Sequence, residues 1–259
     1  MQLNHYYLGN FKYDKMNKHI IIFLCFNNIE HIKQSFDSMY DENIDYFVVE
    51  NISNYSEGIK NYFLERNKGW KNIVGYIQFQ KNIVGNAINV YIREYGDFLR
   101  KYEYITFTDG DYYIYDMKST VQEIMMAFDK PDCAVSSVDL YLGNQLITPN
   151  KVAGTNYYDD FMRDRKDMPL GNKHGIGVPS LMTLQRKDLE ILENMYYLDG
   201  NIRNKVNAIG KSWYITTKNL SYSLTCDIFH PGNPYYEWKM SIGPKIWQVT
   251  EESDYKILI

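Results

Sequence analysis

At 259 residues the chain is long enough to bury a full core and short enough to form one α/β unit. A formal net charge of -4 argues against electrostatic nucleic-acid binding as the main task. The three cysteines (Cys25, Cys133 and Cys226) form no Cys-x-x-Cys pair, the N-terminus has no charged-then-apolar leader, and the strongest apolar run, Ile20 to Phe26, is too short to cross a bilayer. The expectation is a cytoplasmic protein with reduced, buried thiols and no transmembrane segment, peripheral membrane contact being left open.

After a polar stretch over residues 1–18, read as an extension or edge element, a regular alternation begins. His19 to Phe26 reads as a buried strand. Ile29, Ile32, Phe36 and Met39 recur at helical spacing. Tyr46 to Val49 is a second strand. Ile59, Tyr62 and Phe63 mark a second helix, with Ser56 as its expected N-cap. Ile73 to Phe79 is a third strand. Ile88, Tyr91, Ile92, Tyr95, Phe98 and Leu99 form the clearest helical stripe, and Tyr102 to Thr108 a fourth strand. Strands alternating with helices at this spacing predict a parallel sheet with right-handed crossovers.

The second half is less regular. A helix is expected around Val121, Ile124, Met125 and Phe128, then a turn at Pro131-Asp132 and a strand from Cys133 to Leu142. Residues 143–179 carry no period, and a stretch of that length is usually functional or mobile. A strand is expected over Val178 to Leu184, a helix from Lys187 to Tyr196, a short helix on Ile202, Val206 and Ile209, and a strand at Trp213 to Ile215. The 25 tyrosines could form a sugar-stacking surface, but ordinary packing is the favoured reading.

In sheets of this kind ligands bind beyond the carboxyl ends of the strands. The four expected ends are Asn27-Asn28, Glu50-Asn51, Lys81-Asn82 and Asp109-Gly110-Asp111, all polar. A lone Asp-x-Asp is most often a surface turn. At the end of a fourth buried strand, however, two carboxylates can hold a divalent cation, and the cation a diphosphate. His230, before Pro231-Gly232, is either a further metal ligand or a histidine hydrogen-bonded at a strand end. Asp199 is an N-cap, a general base, or both. Arg203, one turn on, faces a diphosphate or solvent.

The order of these parts resembles the GT-A glycosyltransferases, and within them the inverting group called family 2. The matching segments are the polar turn after the first strand, Glu50, Asn82-Ile83-Val84-Gly85 with Asn89, Asp109-Gly110-Asp111, Ser180 to Lys187, Asp199 with Arg203 and Gly210, and His230. The resemblance spans roughly residues 19–232. It departs from the pattern at Leu198-Asp199, where one carboxylate stands in place of an acidic pair, and at Glu50, where aspartate is commoner.

The resemblance implies a single GT-A domain over 1–259. A Rossmann-like nucleotide-sugar half (19–113), with a mostly parallel central sheet, merges with a smaller acceptor half (114–259). It implies transfer of a sugar from a nucleoside diphosphate, by expectation UDP, to a hydroxyl of a glycan, lipid-linked or protein acceptor, with inversion. Mn2+ or Mg2+ would be held by Asp109, Asp111 and His230. Asn27, Asn28, Glu50, Asn51, Asn82, Asp109 and Arg203 would bind the donor, and Asp199 would act as base. A retaining GT-A transferase and a catalytically silent nucleotide-sugar-binding protein are the alternatives.

Overall fold

The computed structural model describes residues 4–6, 16–80, 82, 86–141, 181–192, 199–224, 232 and 237. In chain order they form β1 (Asn4–Tyr6), β2 (His19–Phe26), α1 (Ile29–Ser38), β3 (Ile44–Asn51), α2 (Ser56–Gly69), β4 (Ile73–Phe79), α3 (Asn86–Leu99), β5 (Tyr104–Asp109), β6 (Tyr112–Ile114), α4 (Met117–Ala127), β7 (Cys133–Tyr141) and β8 (Met182–Gln185). A 3-10 segment (Arg186–Leu192), α5 (Asp199–Ala208) and β9 (Ser212–Ser223) follow.

The strands make one sheet in the order β1-β4-β3-β2-β5-β8-β7-β9-β6. β4, β3, β2 and β5 are mutually parallel, as the alternation predicts. β8 is antiparallel to both β5 and β7, so β7 runs with β5, and β9 runs parallel to β7. All the long strands except β8 therefore end at the same edge of the sheet. β1 and β6 close the two margins by antiparallel pairing with β4 and β9.

Both faces of the sheet are covered, which is why its strands read as continuous apolar runs rather than as an alternation. Successive side chains of β2 go to opposite faces. Ile20 and Ile22 join one core with Ile88, Tyr91 and Ile92 of α3, the 3-10 residues Leu189 and Ile191, and Ile202 and Val206 of α5. Ile21, Phe23 and Cys25 join the other, with Ile32 and Phe36 of α1, Ile59 and Phe63 of α2, and Ile124 of α4. Cys25 and Cys133 are free and buried. Tyr46, Tyr76, Tyr91 and Tyr102 are fully buried, so packing accounts for these rings.

Some expectations shift. α2 begins at Ser56 itself, with Tyr55 at the N-cap position and no side-chain cap. The Ser56 hydroxyl instead accepts from the Ser53 amide at 2.8 Å. In place of an α-helix at Lys187, residues 186–192 form a 3-10 segment. Ile209 falls beyond α5 and is 50% exposed. β9 extends well past Ile215, and β6 had no counterpart in the sequence reading. Among the described residues no helix is long and apolar enough to cross a membrane.

Candidate functional site

The parallel strands converge at their carboxyl ends. Asp109, the last residue of β5, lies in register with Leu24 of β2. One strand further, Phe26 pairs with Asn51 of β3, and Asn51 with Phe79 of β4. The ends of β5, β2, β3 and β4 thus stand side by side, about 4.8 Å apart at each step. Asn27, Asn28, Glu50, Asn51, Asn82 and Asp109 are all on this edge or just beyond it.

The Asp109-Gly110-Asp111 turn connects the central β5 to the marginal β6. It is clamped from two sides. A Cβ at Gly110 would stand 3.2 Å from the Phe23 ring and 3.3 Å from the Leu24 carbonyl, so the turn lies hard against β2. On the other side the Leu224 amide donates to the Asp111 carbonyl at 2.8 Å. Leu224 directly follows β9, so the end of β9 is tied to Asp111. Both Asp109 and Asp111 are partly buried. Among the described residues no group of three His, Cys, Asp or Glu side chains comes together as a metal site. Two carboxylates on one short turn are hard oxygen donors of the kind that Mn2+ and Mg2+ take, so the pair fits such a cation as part of its shell. His230 lies outside the described residues.

The β2–α1 turn is conformationally special. Asn27 has φ 61°, the left-handed region that asparagine tolerates better than most residues. Asn28 caps α1. Its Oδ1 accepts from the His31 amide at 3.4 Å, and its Nδ2 lies 2.9 Å from His31 Nδ1. An amide donor on Nδ1 leaves the ring proton on Nε2.

At the end of β3 the two candidates point to opposite faces. Glu50 is 0% exposed, and its Oε2 accepts from the Tyr76 hydroxyl and from Gln78 Nε2 at 2.8 Å, both on β4. Ser56 stands beside the carboxylate without completing a hydrogen bond to Oε1. Burial pushes the Glu50 carboxyl up, while the neighbouring Ser56, Tyr76 and Gln78 groups oppose the rise. The same cluster raises the thiol of buried Cys25, through desolvation first and the Glu50 charge second. Asn51 is also buried. Glu50, expected among the donor-binding residues, is enclosed here, with its carboxylate engaged by its own sheet.

Asp199 opens α5. The helix leads through Gly210 into the start of β9, which runs toward the carboxyl edge. α5 packs against β9 and the 3-10 segment. Arg203 is partly buried one turn later. Gly210 has φ 71° and stops the helix: Gly210 N donates to Asn207 O at 3.0 Å and Lys211 N to Val206 O at 3.1 Å, the paired bonds of a Schellman end. Asn82 is exposed, and Asn89 is buried on α3.

No family model matches the chain. Two uncharacterised proteins of Acanthamoeba polyphaga mimivirus are similar in sequence. One is 29% identical over 83% of this chain and 46% of its own length, the other 28% identical over 90% and 27%. The chain thus spans less than half the length of the curated relatives it matches. Among solved structures, a mannosyltransferase from Pyrobaculum calidifontis in complex with GDP-Man and Mn2+ superposes with a TM-score of 0.57 at 12% identity, over 87% of this chain and 61% of that one. The chain has a GT-A-like α/β fold of the kind seen in that glycosyltransferase.

Proposed function

We propose that the chain is a metal-dependent glycosyltransferase, moving a sugar from a nucleoside diphosphate to a hydroxyl acceptor. The observation that carries this reading is the clamped Asp109-Gly110-Asp111 turn at the shared carboxyl edge of four parallel strands. That edge is where open α/β sheets bind nucleotides, and the Pyrobaculum mannosyltransferase of similar fold carries GDP-Man and Mn2+. Asp109 and Asp111, with His230, would hold Mn2+ or Mg2+. When bound, the cation neutralises charge on the departing diphosphate. Residues 19–113 would take the donor and residues 114–259 the acceptor, for which a surface glycan or polysaccharide is the leading class. Asn27 and Asn82 would contact the donor at the rim, with Arg203 near its diphosphate.

Asp199 would take the proton from the acceptor hydroxyl as its oxygen attacks the anomeric carbon, with inversion. A retaining outcome is the alternative, and NMR of the product anomer separates the two. A screen of nucleotide sugars with Mn2+, reading released UDP or GDP, tests the activity itself. Asp199→Asn should keep donor binding but cut transfer by about two orders of magnitude or more; near-normal turnover would remove it as the base. A silent binding protein is the second reading, favoured by Leu198 standing where a second carboxylate is expected. Calorimetric binding of UDP and Mn2+ without hydrolysis or transfer of any donor would establish it.

A further inference from the structure

Only six large hydrophobic side chains among the described residues are exposed, and two of them, Ile52 at 38% and Tyr55 at 51%, share the short loop that follows Asn51. No ring contact or hydrogen bond engages the Tyr55 side chain among the described residues, unlike the buried tyrosines of the core.

The loop is tightly held. The Ile52 amide donates to the Phe79 carbonyl at 3.2 Å, which lays the loop across the ends of β3 and β4. The Ser53 amide donates to Ser56 Oγ at 2.8 Å, and the Ser56 amide to the Ser53 carbonyl at 3.2 Å. The Tyr55 amide donates to Ser53 Oγ at 3.2 Å, and the Tyr55 carbonyl accepts from Ile59 at 2.9 Å in the first turn of α2. Buried Glu50, braced by Tyr76 and Gln78, lies beside Ser56. A rigid backbone that holds an aromatic ring out into solvent loses packing energy unless something covers the ring.

The position indicates what covers it. From the end of β5, where the carboxylate turn lies, to the end of β3 is two strand spacings, about 10 Å. A nucleoside diphosphate with its phosphates at Asp109 and Asp111 must extend its ribose and base along the sheet edge over a comparable span.

We infer that Tyr55, flanked by Ile52, is the stacking wall for the nucleobase of the donor. This rests on the proposed donor site and names the part of it that grips the base. A ring face stacks on any base, so this wall supplies affinity rather than a choice between uracil and guanine.

The test is calorimetric titration of the full chain with UDP, GDP and inorganic pyrophosphate, each with Mn2+. Tyr55→Ala should weaken UDP and GDP roughly five- to hundredfold and leave pyrophosphate unchanged, while Tyr55→Phe keeps wild-type affinity for all three. Equal UDP and GDP affinity in Tyr55→Ala and wild type would overturn the stacking wall alone. A loss that extends equally to pyrophosphate would also overturn it, since the effect would then not lie on the base. Failure of the wild type to bind either nucleotide would overturn the donor site and the wall with it.

Discussion

At the residue scale, the least expected chemistry lies away from the carboxyl edge. His19 is buried at the start of β2, and its Nε2 lies 2.6 Å from Thr106 Oγ1, which is 2.7 Å from Thr183 Oγ1. The Thr183 hydroxyl donates to the Leu181 carbonyl at 3.0 Å. With that proton committed, Thr106 donates to Thr183 and His19 donates from Nε2, and Nδ1 has no hydrogen-bond partner among the described residues. Burial lowers the His19 pKa from 6.5 to about 4, against a smaller opposing pull from Asp41. The unfolded chain takes up the proton near 6.5 and the folded chain only near 4, so stability falls as pH drops through that window. The loss is about 3 kcal/mol when the window is fully crossed. Asp45 and Glu50, whose carboxyls are raised by burial, act with the opposite sign: their cost appears as pH rises through their folded values. Urea midpoints from pH 7 to 4.5 should therefore fall less steeply in His19→Gln than in wild type. At Gly110 the constraint is space rather than backbone conformation. Gly110→Ala should cost about 1 kcal/mol or more by pressing on the Phe23 ring and the Leu24 carbonyl, and should weaken Mn2+-dependent UDP binding, both measurable by denaturation and calorimetry.

At the element scale, sequence patterning revealed the strands that are buried on both faces and the helices with one apolar stripe. It did not reveal elements whose existence depends on a distant partner. β6 is three residues of Tyr-Tyr-Ile that become a strand only by pairing with Ser221 to Ser223. The last part of β9 is polar, Thr216 to Ser223, and its pairing with β7 shifts register between Val138 and Asp139. No local period marks such a segment. The segment after β8 looked α-helical because its apolar residues are spaced as on a helix, yet it is wound as a 3-10 helix. The end of α5 was legible only as a glycine in the expected place; the structure supplies its reason, a left-handed stop. Gly210→Ala should lower stability by about 1–2 kcal/mol, read from thermal or urea unfolding, because the left-handed conformation is then imposed on a side chain.

At the scale of the whole molecule, the four carboxyl-edge positions were legible because polar residues interrupt apolar runs there. How each residue at these ends is engaged was not legible, since that depends on the face to which each side chain turns. Glu50 shows this: one residue along the strand from Asn51, it is enclosed against β4. The two cores close over the sheet through side chains of the chain itself. Removal of divalent cations should therefore leave the melting temperature of the free protein unchanged. Adding Mn2+ and UDP together at about a hundred times the dissociation constant should stabilise it by about 2.7 kcal/mol, detectable as a thermal shift. A further consequence follows from the antiparallel adjacency of β7 and β8. The chain leaves β7 at Tyr141 and re-enters at Leu181, both at the carboxyl edge and only one strand apart. The two strands pair through Val135 with Leu184 and Ser136 with Thr183, so their alignment is set by contacts within the sheet. The turn that follows β5 is thus carried by strands whose alignment rests on their own pairing, β5 with β2 on one side and with β8 on the other.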